Sequence, residues 1–375
     1  MKIGYDAKRA FTNTSGLGNY SRFVISGMMT HYSEEEYALF TPRKNDLFKA
    51  FFPPVAKTQI VQPTGVGKQF SSLWRTFGLR AALPKHGVQV YHGLSNELPY
   101  GLDQKRVKLV VTIHDLIFLR FPELYPAIDR YIYRKKFKDA CDAAHQIIAI
   151  SEQTAQDLEE FFGIHRAKIQ VVYQDCDPVF QLIPEKEVQN AIQEKYNLPA
   201  QFILCVGTLE RRKNQLHLLK GWQKAGAPVP LVFIGRKTEY FKEMQEFISG
   251  QGLTDKVLFL PYIPFHELPV IYQLATLFVY PSIFEGFGIP IVEALNSGVP
   301  VITSTGSCFA EAGGPTTRYV PPTDSDAMAH AIQEILGSTD LQKQMVKEGL
   351  THAQTFRPEV TIPQLYRVYE QVLQG

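Results

Sequence analysis

A chain of 375 residues, 45% apolar and 20% charged, is long enough to bury two cores and short for three, and this balance excludes a disordered polymer. No apolar run approaches the length of a membrane span, so an integral membrane protein is excluded as well. The net charge of +2 is unevenly spread: residues 1–150 hold 21 Lys and Arg against 12 Asp and Glu (+9), which leaves 18 against 25 (−7) for residues 151–375. A basic face that meets an acidic surface or substrate gives such asymmetry, and so does plain solvated charge.

The chain starts on an alternating strand-like segment, KIGYD, without the basic start and apolar stretch of an export signal, and this predicts a cytoplasmic protein. Cys141, Cys176, Cys205 and Cys308 lie far apart and at no zinc-ligand spacing, which predicts reduced structural thiols and no metal site. After the first strand comes Thr14-Ser15-Gly16-Leu17-Gly18-Asn19-Tyr20, leading into a helix with Phe23, Val24, Met28 and Met29 on its apolar face. Glycines there permit close backbone approach to a phosphate, although a plain loop turn reads the same way.

The strand VKLVVTI ends on His114-Asp115, a position from which an imidazole and a carboxylate reach a ligand, or where a satisfied structural histidine sits. Next, RYIYRKKFK sets Arg130, Arg134 and Lys138 in one row at four-residue spacing if helical. Such a row suits either anionic lipid headgroups or a solvated face. The strands QIIAI and KIQVVY follow, and the pattern then weakens from Asp177 to Pro199. A linker is predicted there, giving an N-terminal domain of residues 1–195 and a second of residues 196–355.

In the second domain the strands FILCVG, PLVFIG, VLFL, LFVY and VPVIT restart the β-α alternation of buried parallel sheets. FILCVG leads into Thr208-Leu209-Glu210-Arg211-Arg212-Lys213-Asn214, three consecutive cations at a strand-to-helix junction, the types that neutralise a diphosphate. LFVY leads into PSIFEGFGIPIVEALNSG. Pro290 suits the first turn of a helix and Gly298 its end, so Gly286 and Gly288 bring backbone amides to the helix N-terminus. Glu285 before that helix and Glu293 within it are positioned to flank one anion, and to accept hydrogen bonds from ribose and sugar hydroxyls. Two D-x-D pairs, Asp175-Cys176-Asp177 and Asp324-Ser325-Asp326, are weak metal candidates, the second being an ordinary acidic helix cap before Ala327. In the last segment, residues 356–375, Leu365, Val368, Tyr369 and Leu373 share a helical face, which predicts a helix that packs back on the N-terminal domain.

With Glu285 and Glu293 standing in E-G-F-G-I-P-I-V-E, the chain resembles the retaining glycosyltransferases of group 1, or family 4. S-G-L-G-N-Y-S, V-T-I-H-D-L, I-S-E-Q-T, V-G-T-L-E-R-R-K-N and S-T-G-S-C-F-A-E extend the resemblance over nearly the whole length. It implies the GT-B fold, α/β with two Rossmann-like domains whose parallel sheets face across a cleft. It also implies that Glu285 and the amides of Gly286, Phe287 and Gly288 hold the donor sugar, that Glu293 takes the ribose hydroxyls, and that Gly16, Leu17 and Gly18 face the diphosphate. His114 would face the donor sugar and orient its hydroxyls, Arg212 and Lys213 would neutralise the leaving phosphates, and the loop around Ile263 would read the nucleobase. Where many members carry an Arg this chain has Thr208, so more of the phosphate charge falls to Arg212.

The activity implied is retaining, metal-independent transfer of a hexose from a GDP- or UDP-linked sugar to a glycan or lipid-linked hydroxyl, with no cofactor and no nucleic-acid partner. Similarity to bacterial mannosyltransferases of polysaccharide assembly points to mannose. A peripheral contact with an anionic inner membrane face would use Arg130, Arg134 and Lys138. The alternatives are a nucleotide-sugar-binding subunit without catalysis, or a phosphorylase or epimerase of the same fold. A nicotinamide dehydrogenase is disfavoured because G-x-G-x-x-G/A fails at Ser21.

Overall fold

The computed structural model describes residues 1–45, 50–64, 70 and 73–375. They divide into two compact units, one of Met1–Asp175 with Phe356–Gly375 and one of Cys176–Thr355.

The first unit is built on β1 (Lys2–Asp6), β2 (Glu36–Phe40), β3 (Thr58–Val61), β4 (Val90–Gly93), β5 (Lys108–Ile113), β6 (Gln146–Ala149) and β7 (Ile169–Val171). They form one sheet in the order β3-β2-β1-β4-β5-β6-β7, parallel throughout. The second unit holds β8 (Ile203–Val206), β9 (Leu231–Ile234), β10 (Val257–Leu260), β11 (Leu277–Tyr280), β12 (Val301–Ser304) and β13 (Arg318–Val320), parallel in the order β10-β9-β8-β11-β12-β13. Both are doubly wound α/β sheets, and their strands are buried on both faces because the crossover helices cover them. In each, the order reverses at one crevice: between β1 and β4 in the first, between β8 and β11 in the second. Ligands of such folds bind outside the carboxyl ends of strands at that crevice.

All nine strands read from the sequence are present. The short segments EYALF, TQIV, VYHG and RYV add β2, β3, β4 and β13. The predicted boundary at 195/196 differs from the observed division after Asp175. The helix Lys186–Lys195 buries Ile192 and packs on the helix Leu268–Leu274, so the weakly patterned stretch is the opening of the second unit rather than a free linker.

The C-terminal helix Pro358–Gln374 belongs to the first unit. Its buried face is Ile362, Leu365, Val368, Tyr369 and Val372, the last in place of the predicted Leu373. Tyr366 stacks on Tyr32 with ring centroids 3.7 Å apart and donates to Glu35 at 2.6 Å. Ile362 fills the space that a side chain at Gly27 would need. Among the described residues no helix is long and apolar enough to cross a membrane.

Candidate active site

The second unit gathers its polar groups at the β8/β11 crevice. After β8 the backbone passes through Gly207, whose φ of 143° favours glycine, and Gly207 O lies 1.9 Å from where a Cβ on Gly235 would stand. This close approach leads the chain through Thr208, whose carbonyl accepts from Gln215 Nε2 at 2.9 Å, into the 3₁₀ turn Arg211–Lys213. Asn214, left-handed at φ 58°, ends the turn and starts the helix Gln215–Lys224.

Lys213 and Arg212 thereby point at the loop that follows β11. Lys213 Nζ lies 2.6 Å and Arg212 Nη1 2.8 Å from Glu285 Oε1. Ser282 Oγ donates to the same oxygen at 2.5 Å and the Tyr280 hydroxyl at 3.1 Å, while Lys213 also donates to Tyr280 at 2.5 Å. Arg212 is further fixed by the Phe284 carbonyl at 2.6 Å and by Glu210 at 2.9 Å. Glu285 is 8% exposed. Burial alone would raise its pKa, but the Lys213 and Arg212 charges and the hydrogen bonds from Lys213 and Ser282 overcome that and bring it to about 2. Its other oxygen, Oε2, accepts nothing among the described residues.

The backbone that carries Glu285 is clamped from the next crossover. Ser307 Oγ donates to the Glu285 carbonyl at 3.0 Å and accepts from the Glu285 amide at 3.2 Å. Cys308 Sγ lies 3.3 Å from the Glu285 carbonyl and 2.9 Å from that of Phe287. Ser307 is held left-handed at φ 50° behind Gly306 at 82°, an unfavourable conformation for serine that the clamp sustains. Gly288, at φ 103°, turns the loop into the helix Ile289–Asn296, with Pro290 in its first turn.

Glu293 stands apart from this cluster. It lies beyond the first turn of that helix, half-buried, and accepts from the Tyr272 hydroxyl at 2.8 Å. Burial pushes its pKa up to about 7, against the Tyr272 hydrogen bond and with help from Asp177. The two glutamates therefore do not share one set of partners: Glu285 is ionised among cations, and Glu293 is poised near neutrality beside a phenol. Ile263 is buried next to Tyr262, which is 87% exposed.

The other predicted residues lie in the first unit. Gly16 opens the helix Gly16–His31 with empty space beside it, Leu17 is half-buried, and Gly18 presses on the Asn13 carbonyl, 1.9 Å from an ideal Cβ. His114 follows β5, its amide donating to Asn96 Oδ1 at 2.8 Å and its Nε2 lying 2.9 Å from the Leu94 carbonyl. The carbonyl accepts only, so Nε2 carries the proton. Burial lowers the ring's pKa to about 4, against that hydrogen bond, so the ring is neutral at physiological pH. The Thr154 hydroxyl donates to the His114 carbonyl at 3.3 Å. Tyr20, from the glycine-loop helix, meets the His114 ring edge-on at 4.7 Å and bonds Thr112 at 2.8 Å. Thr112 in turn bonds His92 Nε2 at 2.8 Å, and His92 Nδ1 bonds Tyr369 of the C-terminal helix at 2.6 Å.

Both D-x-D candidates have structural partners. Asp177 accepts from the Val179 amide at 3.0 Å, and Asp324 caps its helix through the amides of Asp326 and Ala327. Among the described residues, no three His, Cys, Asp or Glu side chains gather as metal ligands. All four cysteines are buried, and none forms a disulfide. Sequence reasoning missed Tyr272, Tyr280, Ser282, Ser307 and the hydrogen-bonding role of Cys308. Tyr280 and Ser282 were within reach of it, since they occupy the strand end and the loop immediately before Glu285.

Comparison with known proteins matches this arrangement. The family described as "Glycosyltransferase Family 4" matches residues 33–178, and "Glycosyl transferases group 1" matches residues 186–352. The chain is 29% identical over 296 residues to the O-antigen chain mannosyltransferase B of Escherichia coli, covering 77% of this chain and 76% of that one. It is 28% identical over 225 residues to the O-antigen chain mannosyltransferase RfbU of Salmonella typhimurium, covering 60% of each. A crystal structure of a glycosyltransferase from Rickettsia africae superposes with a TM-score of 0.77 at 16% identity, over 100% of this chain and 98% of that one. With consecutive family matches in both units, and two parallel doubly wound sheets that superpose on a glycosyltransferase over their whole length, the chain belongs to the group 1 glycosyltransferases of the GT-B fold.

Proposed function

We propose that this glycosyltransferase moves mannose from a nucleoside-diphosphate sugar, GDP-linked before UDP-linked, to a hydroxyl of a glycan or lipid-linked acceptor, with retention and without a metal ion. The observation that carries the reading is the convergence of Lys213 and Arg212 on a single oxygen of Glu285. A carboxylate beside a diphosphate is repelled unless cations offset it, and here two do. Glu285 then stays ionised with Oε2 left to accept a sugar hydroxyl. As the bond from sugar to phosphate breaks, negative charge grows on the diphosphate, and the two cations are already aimed at the crevice without reorganisation. The departing phosphate oxygen takes the acceptor's proton on the same face of the sugar, so no separate strong base is required.

Glu293 would accept the ribose hydroxyls, and the amides of Gly286, Phe287 and Gly288 would hold the sugar. Thr208 and Ile263 would line the phosphate and base ends. From the first unit, Gly16, Leu17 and Gly18 would approach the diphosphate. His114, neutral and with Nε2 committed to Leu94, would offer Nδ1 as an acceptor to a sugar hydroxyl, not act as a nucleophile. Mannose is supported by the two O-antigen mannosyltransferases to which the chain is similar. A lipid-linked acceptor would be met at an anionic membrane surface by the cationic helix of Arg130, Arg134 and Lys138. The test is turnover of GDP-mannose and UDP-hexoses with a mannose-terminated soluble acceptor in excess chelator, the product anomer read by NMR. An α-mannoside formed from the α-linked donor supports the reading. An inverted product, or turnover that returns only with magnesium or manganese, contradicts it.

A further inference from the structure

Thr112, on β5, and His114, one residue past its end, are two apart, the spacing that sends side chains to one side of a strand. One tyrosine touches both. The Tyr20 hydroxyl bonds Thr112 Oγ1 at 2.8 Å, and the Tyr20 ring stands at 87° to the His114 ring with centroids 4.7 Å apart. All three side chains are buried. Tyr20 belongs to the helix Gly16–His31, two residues after Gly18, whose backbone is pressed against the Asn13 carbonyl. Any shift of the glycine loop therefore carries with it the ring that flanks His114.

The protons behind this contact fall into one order. Tyr369 donates its only proton to the Tyr5 hydroxyl at 3.3 Å, so toward His92 Nδ1, 2.6 Å away, it can only accept. Nδ1 therefore carries the His92 proton. The ring is neutral, so Nε2 accepts from Thr112 at 2.8 Å, and Thr112, its proton spent there, accepts from Tyr20. The donors run Tyr20, Thr112, His92, Tyr369, with Tyr5 as the last acceptor, and each link sets the direction of the next. A buried polar network of this kind is costly when one member is wrong and holds its members in a single arrangement when all are satisfied. Apolar side chains would fill the same space without fixing the Tyr20 ring.

We propose that Tyr20 and Thr112 are positioning residues for His114: the bond between them fixes the ring against which the imidazole stands, and so sets where His114 Nδ1 points and how far it lies from the glycine loop. The His114 amide, carbonyl and Nε2 are held separately, by Asn96, Thr154 and Leu94. A single hydrogen bond at the far end of an imidazole constrains rotation about Cβ–Cγ only weakly, whereas an aromatic ring packed perpendicular to it blocks that rotation. His92 and Tyr369 anchor Thr112 from behind, so a residue of the C-terminal helix supports a residue that faces the sugar. The inference rests on the assignment of His114 to the donor sugar made above, and its structural half is measurable without turnover.

The experiment compares wild type, Tyr20→Phe, Thr112→Val, Thr112→Ser and the double variant Tyr20→Phe/Thr112→Val by transfer kinetics and by proton–nitrogen correlation spectra of the histidine rings, at a temperature where all are folded. Tyr20→Phe and Thr112→Val should each lower kcat by about 10- to 100-fold, the scale of a small misplacement of a reacting group, with a smaller change in KM for the donor. Thr112→Ser keeps the hydroxyl and should recover most of the loss. Because the two residues act through one bond, the double variant should be no slower than the slower single one. Without ligand, the spectra should show His92 protonated at Nδ1 and His114 at Nε2, and Tyr20→Phe should shift the His114 ring signals. A lowered melting temperature with kcat unchanged in Tyr20→Phe, losses that multiply in the double variant, or His92 protonated at Nε2 would each overturn the proposal. If wild type moves no sugar, the enzymatic reading fails and the spectra decide alone: His114 signals unmoved in Tyr20→Phe remove the positioning role, and shifted signals sustain it.

Discussion

Lys213 Nζ lies between the Glu285 carboxylate and the Tyr280 hydroxyl, 2.6 Å from one and 2.5 Å from the other, so a single cation ties the loop after β8 to the loop after β11. The arrangement makes the crevice a preassembled charge site. Lys213→Ala should lower kcat by about 100- to 1,000-fold, the effect of removing one transition-state donor. Lys213→Arg should not restore it, because the planar fork cannot bond both partners from one point. Steady-state kinetics with saturating donor checks both.

Removing the carboxylate from this cluster has a stability signature. Glu285→Ala leaves Arg212 and Lys213 facing each other without their anion, and the loss should be about 3–5 kcal/mol. A nucleoside diphosphate should restore part of it by supplying charge in the same place. Chemical denaturation with and without GDP measures both. In the wild type, the depressed Glu285 pKa adds stability that is complete above its ordinary 4.5 and disappears as pH falls toward 2.

Glu293 has the opposite sign. Its pKa is raised from 4.5 to about 7, so the folded chain keeps a proton there that the unfolded chain gives up, and stability falls as pH rises through that window. Glu293→Gln should flatten the fall and raise the melting temperature at pH 8. Ribose hydroxyls favour the ionised carboxylate, so nucleotide binding near pH 6.5 should expel a proton in the wild type and none in Glu293→Gln. Calorimetry in buffers of different ionisation enthalpy reads that release.

The Ser307–Cys308 clamp should act on donor affinity as well as on the fold. Cys308→Ala removes the thiol proton shared by the carbonyls of Glu285 and Phe287, at a cost of about 1–3 kcal/mol, and Cys308→Ser should recover most of it. The expected readout is a raised KM for the donor with a smaller change in kcat. Equal kinetics for the alanine and serine variants would remove the clamp from the account.

In the first unit, Tyr369→Phe leaves His92 Nδ1 without its partner in a buried site, and should cost about 1–3 kcal/mol. Burial, with His114 close by, lowers the His92 pKa to about 3, and burial lowers that of His114 to about 4, so both remain neutral when folded. Stability should therefore decline as pH drops from the ordinary 6.5 toward those values, where the unfolded chain takes up protons that the folded chain refuses. Thermal unfolding between pH 4 and 8 follows that decline.

Much of the fold was legible because parallel strands buried on both faces read as continuous apolar runs, as in FILCVG and LFVY. RYV was not, because with three residues on a sheet edge β13 carries too little pattern. The boundary was misplaced because Lys186–Lys195 has only Ile192 buried and reads as polar. Glycine and glutamate spacing marked the crevice at Glu285, since loop geometry after a strand is local. The partners of Glu285 were harder to see. Ser307 and Cys308 arrive from the next crossover, and contacts between distant segments leave no periodic trace in a single sequence. The partial burial of Arg130 was hidden for a related reason: spacing gives the relative phase of residues on a helix, and only packing such as that of Phe137 on Phe118 fixes which phase faces outward.

The most direct test of the charge site is thermal stabilisation by GDP, UDP and ADP in excess chelator, with wild type, Lys213→Ala and Arg212→Ala side by side. One nucleoside diphosphate at a hundred times its dissociation constant should stabilise wild type by about 2.7 kcal/mol, and either substitution should remove most of the shift. A shift of equal size in both variants, or none in wild type with any nucleotide, would contradict the assignment of Arg212 and Lys213 to the donor diphosphate.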